Sequence, residues 1–421
     1  MPTTLANVRI CRTKGLRLVA WRLVLFAAAL LLNGAYVYAN DAYEFRFNYR
    51  EGDQYRILST VQQNVRINGV YSHSATILNK ASIEVSDVGE SDARISAMYH
   101  TSEESTGHGQ VYRWGEEYPT EFRRDTVGRF DISPEYFMPV VRNVPVFPEE
   151  PISPGYSWTH AGSEVHDFRR NFGLDEAFHF PIDVVYEYMG TAELDGTEFH
   201  QFSIRYNVFH QAPQKPEIRT AYPMLITGFS DQILYWDYAR GRPHYYEETY
   251  TFLVHLTDGT VAQFSGEADG RVVESEPLNR QAAVDDIRNL LDELDIDESD
   301  VQEDERGVTI TLENVQFAPD SAVLRDSERA KLDRLAEILK RYGEYDLLVT
   351  GHTALAGTEA GRLHLSRERA DSVAEYLLEL DVRERDQILT RGFGADIPVA
   401  DNMTEAGRRR NRRVELTILE N

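Results

Sequence analysis

The chain has 421 residues, 42% hydrophobic and 27% charged, so it carries enough apolar material for two or three packed domains and is not a disordered polymer. Its formal charge of −25, from 69 acids against 44 bases, argues against binding nucleic acid by bulk electrostatics. Its single cysteine excludes an intrachain disulfide framework, a cysteine zinc site and a CxxC redox pair.

The N-terminus reads as an address. Arg9, Arg12, Lys14, Arg17 and Arg22 precede an apolar run at 23–32, and Val37-Tyr38-Ala39 places small residues at minus three and minus one of a cut site. That pattern predicts a signal peptide over 1–39, cleaved after Ala39. An uncleaved anchor is the alternative, but 23–39 is shorter than the roughly 20 residues of a spanning helix. Cys11 precedes the apolar run, so it is not a lipidated cysteine. The remainder has 39 bases, 69 acids and no cysteine. The expected location is the periplasm or cell envelope, including association with the outer membrane.

Residues 40–276 read as β-structure. Asn68-Gly69, Asp195-Gly196 and Asp258-Gly259 each separate two strand-like runs. Such dipeptides accept positive φ and match the twist of paired strands. Residues 83–85 and 93–97 form a further pair around Gly89-Glu90. The flanks are rich in Tyr, Phe, Val, Ile and Thr, which suit a pleated, half-buried surface. Pro134, Pro139, Pro145, Pro148, Pro151 and Pro154 interrupt the pattern. Proline removes a ladder donor, so a loop or edge crossing is expected near 134–155, with two sub-domains on either side. The fold predicted for the region is a mostly antiparallel sandwich or open barrel. A membrane barrel is the weaker alternative, because Arg56, Arg66, Glu84 and Arg94 fall at mixed strand parity.

No catalytic motif appears along this stretch: no Gly-x-Ser-x-Gly elbow, no phosphate-cradling glycine loop, no His-Glu-x-x-His. His166, His179, His200 and His210 lack ligand spacing. The chain is read as a non-enzyme, with no metal and no cofactor.

Residues 277–306 read as an acidic helical linker. Val284, Ile287, Leu290, Leu291 and Leu294 form one helical stripe. Eleven acids and one base lie between Asp285 and Glu305. A calcium loop counted from Asp295 fails, because Asp300 stands where the sixth-position glycine belongs and Arg306 where the twelfth-position glutamate belongs. A solvated face is expected.

Residues 307–421 alternate strand and helix. Strands are expected at 307–312, 347–349, 388–390 and 414–418. Helices are expected at 325–342, capped by Asp326 or Ser327 and stopped by Gly343, and at 359–380. This is a βαβαβ-type α/β layer with a mixed sheet and helices packed on it.

Six motifs here follow one order: Phe317-x-x-Asp320-Ser321-x-x-Leu324, Gly351-His352-Thr353, Leu365-Ser366-x-x-Arg369-Ala370, Gly392-x-Gly394 with Pro398, Asn402-x-Thr404-x-x-Gly407, and Asn411-Arg412-Arg413-Val414. Residues 307–421 resemble the OmpA-like peptidoglycan-binding domain. The resemblance implies recognition of the diaminopimelate of a peptidoglycan stem peptide, through Asp320, Thr353, Arg362, Arg369 and Arg413. A zwitterion wants an aspartate for its ammonium and an arginine fork for a carboxylate. In the family an aspartate follows Gly-His-Thr; here that position is Ala354. An asparagine common in the family is Arg362. The run Arg408, Arg409, Arg410, Arg412, Arg413 is expected as a solvated loop in which Asn411 and Arg413 are structural.

The expected function is a non-covalent, peptidoglycan-associated tether in the cell envelope. The alternatives are a periplasmic scaffold whose domain has lost wall binding, and an outer-membrane barrel with a wall anchor. The β-region's expected partner is an envelope protein, a lipid or a glycan.

Overall fold

The computed structural model describes residues 42–104, 111–169, 177–212, 221–274, 277–313, 315, 317 and 321–420. The expected signal peptide and Asp320 lie outside the described residues.

Ten long strands and two short ones build the β-region. They are β1 (Gln54–Ile67), β2 (Val70–Ser86), β3 (Asp92–Glu104), β4 (Tyr112–Asp125), β5 (Phe130–Ile132), β6 (Val141–Arg142), β7 (Ser157–His166), β8 (Phe178–Leu194), β9 (Thr197–Gln211), β10 (Pro223–Asp237), β11 (Arg242–Leu256) and β12 (Val261–Glu274). All pair antiparallel within the region, in the order β5-β4-β3-β2-β1-β12-β11-β10-β9-β8-β7-β6. Asn68 and Gly69 have φ of 51° and 79°, as do Asp195 and Gly196, which gives the right-twisted two-residue turns that the dipeptides predicted. Ile83 pairs with Ala97 and Val85 with Ile95, as expected.

Of the two expected forms, sandwich and open barrel, the strand pairing does not single out the sandwich. One open sheet runs through the whole region, because β1 pairs with β12 as well as with β2, and among the described residues β5 and β6 do not pair with each other. The proline-bearing stretch lies between β5 and β7 and carries β6. It folds back against the inner face, where Phe147 and Ile152 join Phe45 and Phe47 among residues of β8, β9 and β10. Burial alternates along β8: Phe180, Ile182, Val184, Tyr186 and Tyr188 are buried while Val185 and Met189 are exposed. Period-two burial is what one packed and one solvated face requires.

The C-terminal sheet contains β13 (Ser299–Asp304), β14 (Gly307–Glu313), β15 (Leu347–Gly351), β16 (Ile388–Gly392) and β17 (Arg413–Leu419). Its order is β13-β14-β17-β15-β16, with β15 and β16 parallel and the rest antiparallel. Helices α1 (Arg280–Glu293), α2 (Asp326–Leu339) and α3 (Glu359–Glu379) cover one face, and α4 (Glu405–Asn411) precedes β17. Ile287, Leu335, Leu339, Val373 and Leu377 meet Val308, Ile310, Val349 and Leu416 in one core.

Three expectations change. The segment expected as a linker belongs to this core: Asn279 caps α1, whose stripe is buried, and the acids that follow form β13 in a hairpin with β14. The N-cap of α2 is Arg325, without a side-chain capping bond, rather than Asp326 or Ser327. The arginine run is helical over Glu405–Asn411, with Thr404 as its cap.

The other sheet face meets the outer face of the β-region. Leu348, Leu389 and Leu419 pack on Leu78 and Tyr112, and Tyr112 and Arg113 of β4 pair parallel with Leu389 and Thr390. Asp346, 2% exposed, accepts from Lys80 Nζ at 2.7 Å and from Arg56. Buried Asp371 accepts from Arg113 at 3.1 Å and from Thr390 at 2.6 Å.

Candidate functional site

The motif residues Gly351, His352, Thr353, Gly392 and Gly394 lie at the C-terminal ends of the parallel strands β15 and β16, where ligands of open α/β sheets bind. Two glycines set the geometry. Gly351 and Gly392 stand opposite each other in the parallel pair, and a Cβ on either would lie 2.1 Å from Ser366 O or 2.5 Å from Ser366 Oγ. Their lack of a side chain lets α3 press onto the strand ends. Ser366, fully buried, then donates to Leu363 O at 2.9 Å and accepts from Gly394 N at 2.9 Å.

Three loops meet there. Thr353 N donates to Gly394 O at 2.7 Å, Phe393 N to Gly351 O at 3.0 Å, and His352 N to Arg413 O at 3.0 Å. Asn411, 1% exposed, accepts from Val399 N and Ala400 N at 2.8 and 3.0 Å, and donates to Ala400 O and Asn402 Oδ1 at 2.8 and 2.9 Å. Asn402 Oδ1 also accepts from Leu355 N at 3.0 Å, so one asparagine pair ties the loop after β15 to the loop after β16.

The structure places the expected site residues unequally. Thr353 is buried, and its Oγ1 has no hydrogen-bond partner. Arg362, in the first turn of α3, donates from Nη1 to Gly357 O at 2.7 Å, and its Nε is sealed from solvent without a partner. Arg369 lies further along α3. Its guanidinium sits 4.7 Å from the Phe317 ring centroid, and Nε donates to Ser321 O at 3.3 Å. Arg413 is buried, donating to Glu415 Oε1 at 2.7 Å and to Ile397 O at 3.1 Å. Ala354 is buried and Glu359 is exposed.

Sequence reasoning quoted His352 as a motif residue but missed its pairing with Glu415. His352 Nε2 lies 3.2 Å from Glu415 Oε2 without hydrogen-bond alignment, and the ring stacks on Phe393 with centroids 5.6 Å apart. Burial pulls the imidazole below its ordinary value, against the pull of Glu415. Burial acts to raise the Glu415 carboxyl, but His352 and Arg413 outweigh it and hold it at about 2. The signal for this pair was strand register, since Thr350 faces Glu415 and Gly351 faces Val414.

The arginines of α4 make exposed ion pairs: Arg409 with Glu298 at 3.3 Å, Arg410 with Glu313 at 3.0 Å, Arg408 and Arg412 with Glu405 at 2.8 and 3.3 Å. Such pairs contribute little each. The β-region histidines have local partners. Tyr188 Oη and His200 Nδ1 are 2.6 Å apart, and His166 Nε2 and Glu164 Oε2 are 2.8 Å apart.

Residues 316–412 match the OmpA family. The probable lipoprotein YiaD of Escherichia coli K12 is 32% identical over 137 residues, covering 30% of this chain and 62% of that protein. Outer membrane porin F of Pseudomonas fluorescens is 37% identical over 105 residues, 25% of this chain and 32% of the porin. The peptidoglycan-binding protein ArfA of Mycobacterium tuberculosis H37Rv is 36% identical over 104 residues, 25% of this chain and 32% of that protein. The chain thus spans about three fifths of the first of these curated relatives and about a third of the other two.

Proposed function

Taking residues 316–412 as an OmpA-family domain, we propose that this chain is an exported cell-envelope protein that holds peptidoglycan non-covalently through that domain. In this reading a signal peptide is removed after Ala39 and the protein works in the periplasm, alongside or attached to the outer membrane. The reading is of a binder and not of an enzyme. One observation supports it: among the described residues, Thr353 Oγ1 just after β15 and Arg362 Nε in the first turn of α3 are closed to solvent and have no hydrogen-bond partner. Leaving such a group unpaired costs about 1–3 kcal/mol, and a bound ligand that accepts from either one would offset that cost. A stem-peptide carboxylate supplies the missing acceptors. Its ammonium finds no carboxylate at Ala354, so affinity for diaminopimelate is expected to be about ten- to a hundredfold below that of a site with aspartate there.

The test is sedimentation of the full chain with purified sacculi at low salt. It is expected to pellet, and Arg369→Ala to stay in the supernatant. Failure of the unmodified protein to pellet would sink the tether.

Ala354 and Arg362 also favour a second reading, a periplasmic scaffold that no longer binds the wall. If the wild type stays soluble and the double variant Ala354→Asp, Arg362→Asn pellets, the scaffold reading replaces the tether. The unpaired β5 and β6 edges weigh against a lipid-facing barrel, which closes its sheet.

A further inference from the structure

We propose that the β-region binds a phosphate group in a cavity of its own, to which the OmpA-family domain contributes no lining residue. The cavity, about 330 Å³, lies among the segment before β1, the ends of β2, β4 and β12, and the turn between β10 and β11. Phe47 N donates to Thr126 O at 2.7 Å and Asn48 N to Gly241 O at 3.0 Å, so the segment before β1 spans from the end of β4 to that turn. Four arginines line the cavity against two acids, in a chain with 69 acids and 44 bases overall. Arg240 and Arg242 are answered by Glu274, and Arg240 also by Asp237. Arg50 and Arg124 form no ion pair among the described residues, and Asp53 is the one remaining acid of the lining.

Arg124 carries most of the argument. Its neighbour Arg123 bonds to two carboxylates, Asp87 at 2.6 Å and Asp92 at 2.8 Å. Half-buried Arg124 instead donates from Nε to Tyr49 Oη at 2.8 Å, with no acid beside it. Its guanidinium lies 3.9 Å from the Phe47 ring centroid and next to the Tyr55 hydroxyl. A ring covers the flat face of a guanidinium but accepts none of its in-plane N–H groups. Nη1 and Nη2 make no hydrogen bond among the described residues and are not sealed off, so they remain open donors. Arg242 approaches the same tyrosine, 4.8 Å from its ring centroid. One guanidinium thus lies at the Tyr55 hydroxyl and the other over its ring. A planar carboxylate fills one such fork. A phosphate has oxygens in three dimensions and carries up to about two charges, so it bonds both arginines and gives Arg124 its missing counter-ion. Phe47, Tyr49 and Tyr55 supply aromatic wall for the group that bears the phosphate.

A soluble phosphate ester and a lipid headgroup share this chemistry. Phenyl phosphate and benzoate are the probes, each a ring with one anionic group. Calorimetric titration of the full chain is expected to give a Kd on the order of 1 mM for phenyl phosphate, with benzoate about tenfold weaker. Arg124→Gln is expected to weaken phenyl phosphate at least about tenfold, and Arg124→Lys, which keeps the charge without the fork, by less. Unchanged circular dichroism shows that each variant is folded. Glu274→Gln, at an exposed position, is expected to tighten binding about threefold by releasing Arg242, a gain that loss of structure does not produce. Flotation with phosphatidylcholine vesicles containing phosphatidic acid separates the two sources. Co-flotation that Arg124→Gln abolishes assigns a lipid headgroup, and phenyl phosphate binding without co-flotation assigns a soluble ester. No binding of phenyl phosphate, benzoate binding as tightly, undiminished binding by Arg124→Gln, or no gain from Glu274→Gln overturns the inference.

Discussion

The two ends of β15 carry opposite polar arrangements. At its start, buried Asp346 accepts at Oδ2 from Arg56 and Lys80, which reach across from β1 and β2. At its end, Thr353 and Arg362 keep buried groups unpaired. A buried carboxylate whose Oδ2 accepts from cations on β1 and β2 holds two parts of the protein together. Sealed donors without acceptors add no stability by themselves and account for themselves only through a partner. The same short strand thus has a structural end and, in the function proposed above, a binding end.

Breaking the structural end has the largest expected effect. Asp346→Ala strands Arg56 and Lys80 in the interior, and a broken buried pair costs about 3–5 kcal/mol. Urea unfolding of the full chain measures it, and a loss below about 1 kcal/mol would mean that the contact is not buried in solution.

Next comes Asn411→Ala, which orphans Val399 N and Ala400 N and frees the loop after β16. An expected cost of about 1–3 kcal/mol is read from the same unfolding curves. Sacculus binding should fall with it, because Asn402 loses its anchor.

Acid sharpens the comparison further. Glu415, held at about 2, lies below its ordinary 4.5, and His352 also lies below its ordinary value. Both therefore take up protons more readily when unfolded. Their stabilisation is present above the unfolded values and is lost as pH falls, through 6.5 for His352 and between 4.5 and about 2 for Glu415. After discounting for the partial exposure of Glu415, about 1–2 kcal/mol is expected from it. Glu415→Gln should flatten the stability profile below pH 4.5, and an unchanged slope would remove the pair from the account.

The smallest stability effect is expected at the binding end. Thr353→Val removes an unpartnered hydroxyl, so unfolding free energy should move by less than about 0.5 kcal/mol while sacculus binding drops. A large destabilisation instead would show that the hydroxyl has a structural partner.

Local patterns explain how much of this was legible in the sequence. The turn dipeptides and the helix stripes announced themselves because their signals are short-range: φ preference at Asn68-Gly69, 3.6-residue spacing at Val284, Ile287 and Leu291. The motif Gly351-His352-Thr353 stood out only through the family resemblance, and the close approach of Gly351 to Ser366 is a tertiary contact. The α1 segment looked like a linker because its eleven acids outweighed a five-residue apolar stripe that only the core reveals. The run of arginines looked like a loop because charge density hid the Thr404 cap. The open sheet could not be told from a sandwich, because closure depends on β1 meeting β12, strands about two hundred residues apart.

By itself the sequence determined the parts: the hairpins of the β-region and the α/β order of the C-terminal domain. The tertiary structure decided which of those parts share a surface. Leu347-Leu348-Val349 reads as one apolar run, and a strand buried on both faces reads that way, but the run does not say what covers each face. Here Leu347 and Val349 meet the helices, while Leu348 meets Leu78 and Tyr112 of the β-region. Likewise Asp346, Lys80 and Arg56 are unremarkable charged residues until long-range packing removes their water and pairs them, with Lys80 also donating to Asp386 O at 2.6 Å. Local preference operates over a few residues, whereas burial and charge pairing are set by which distant surfaces meet.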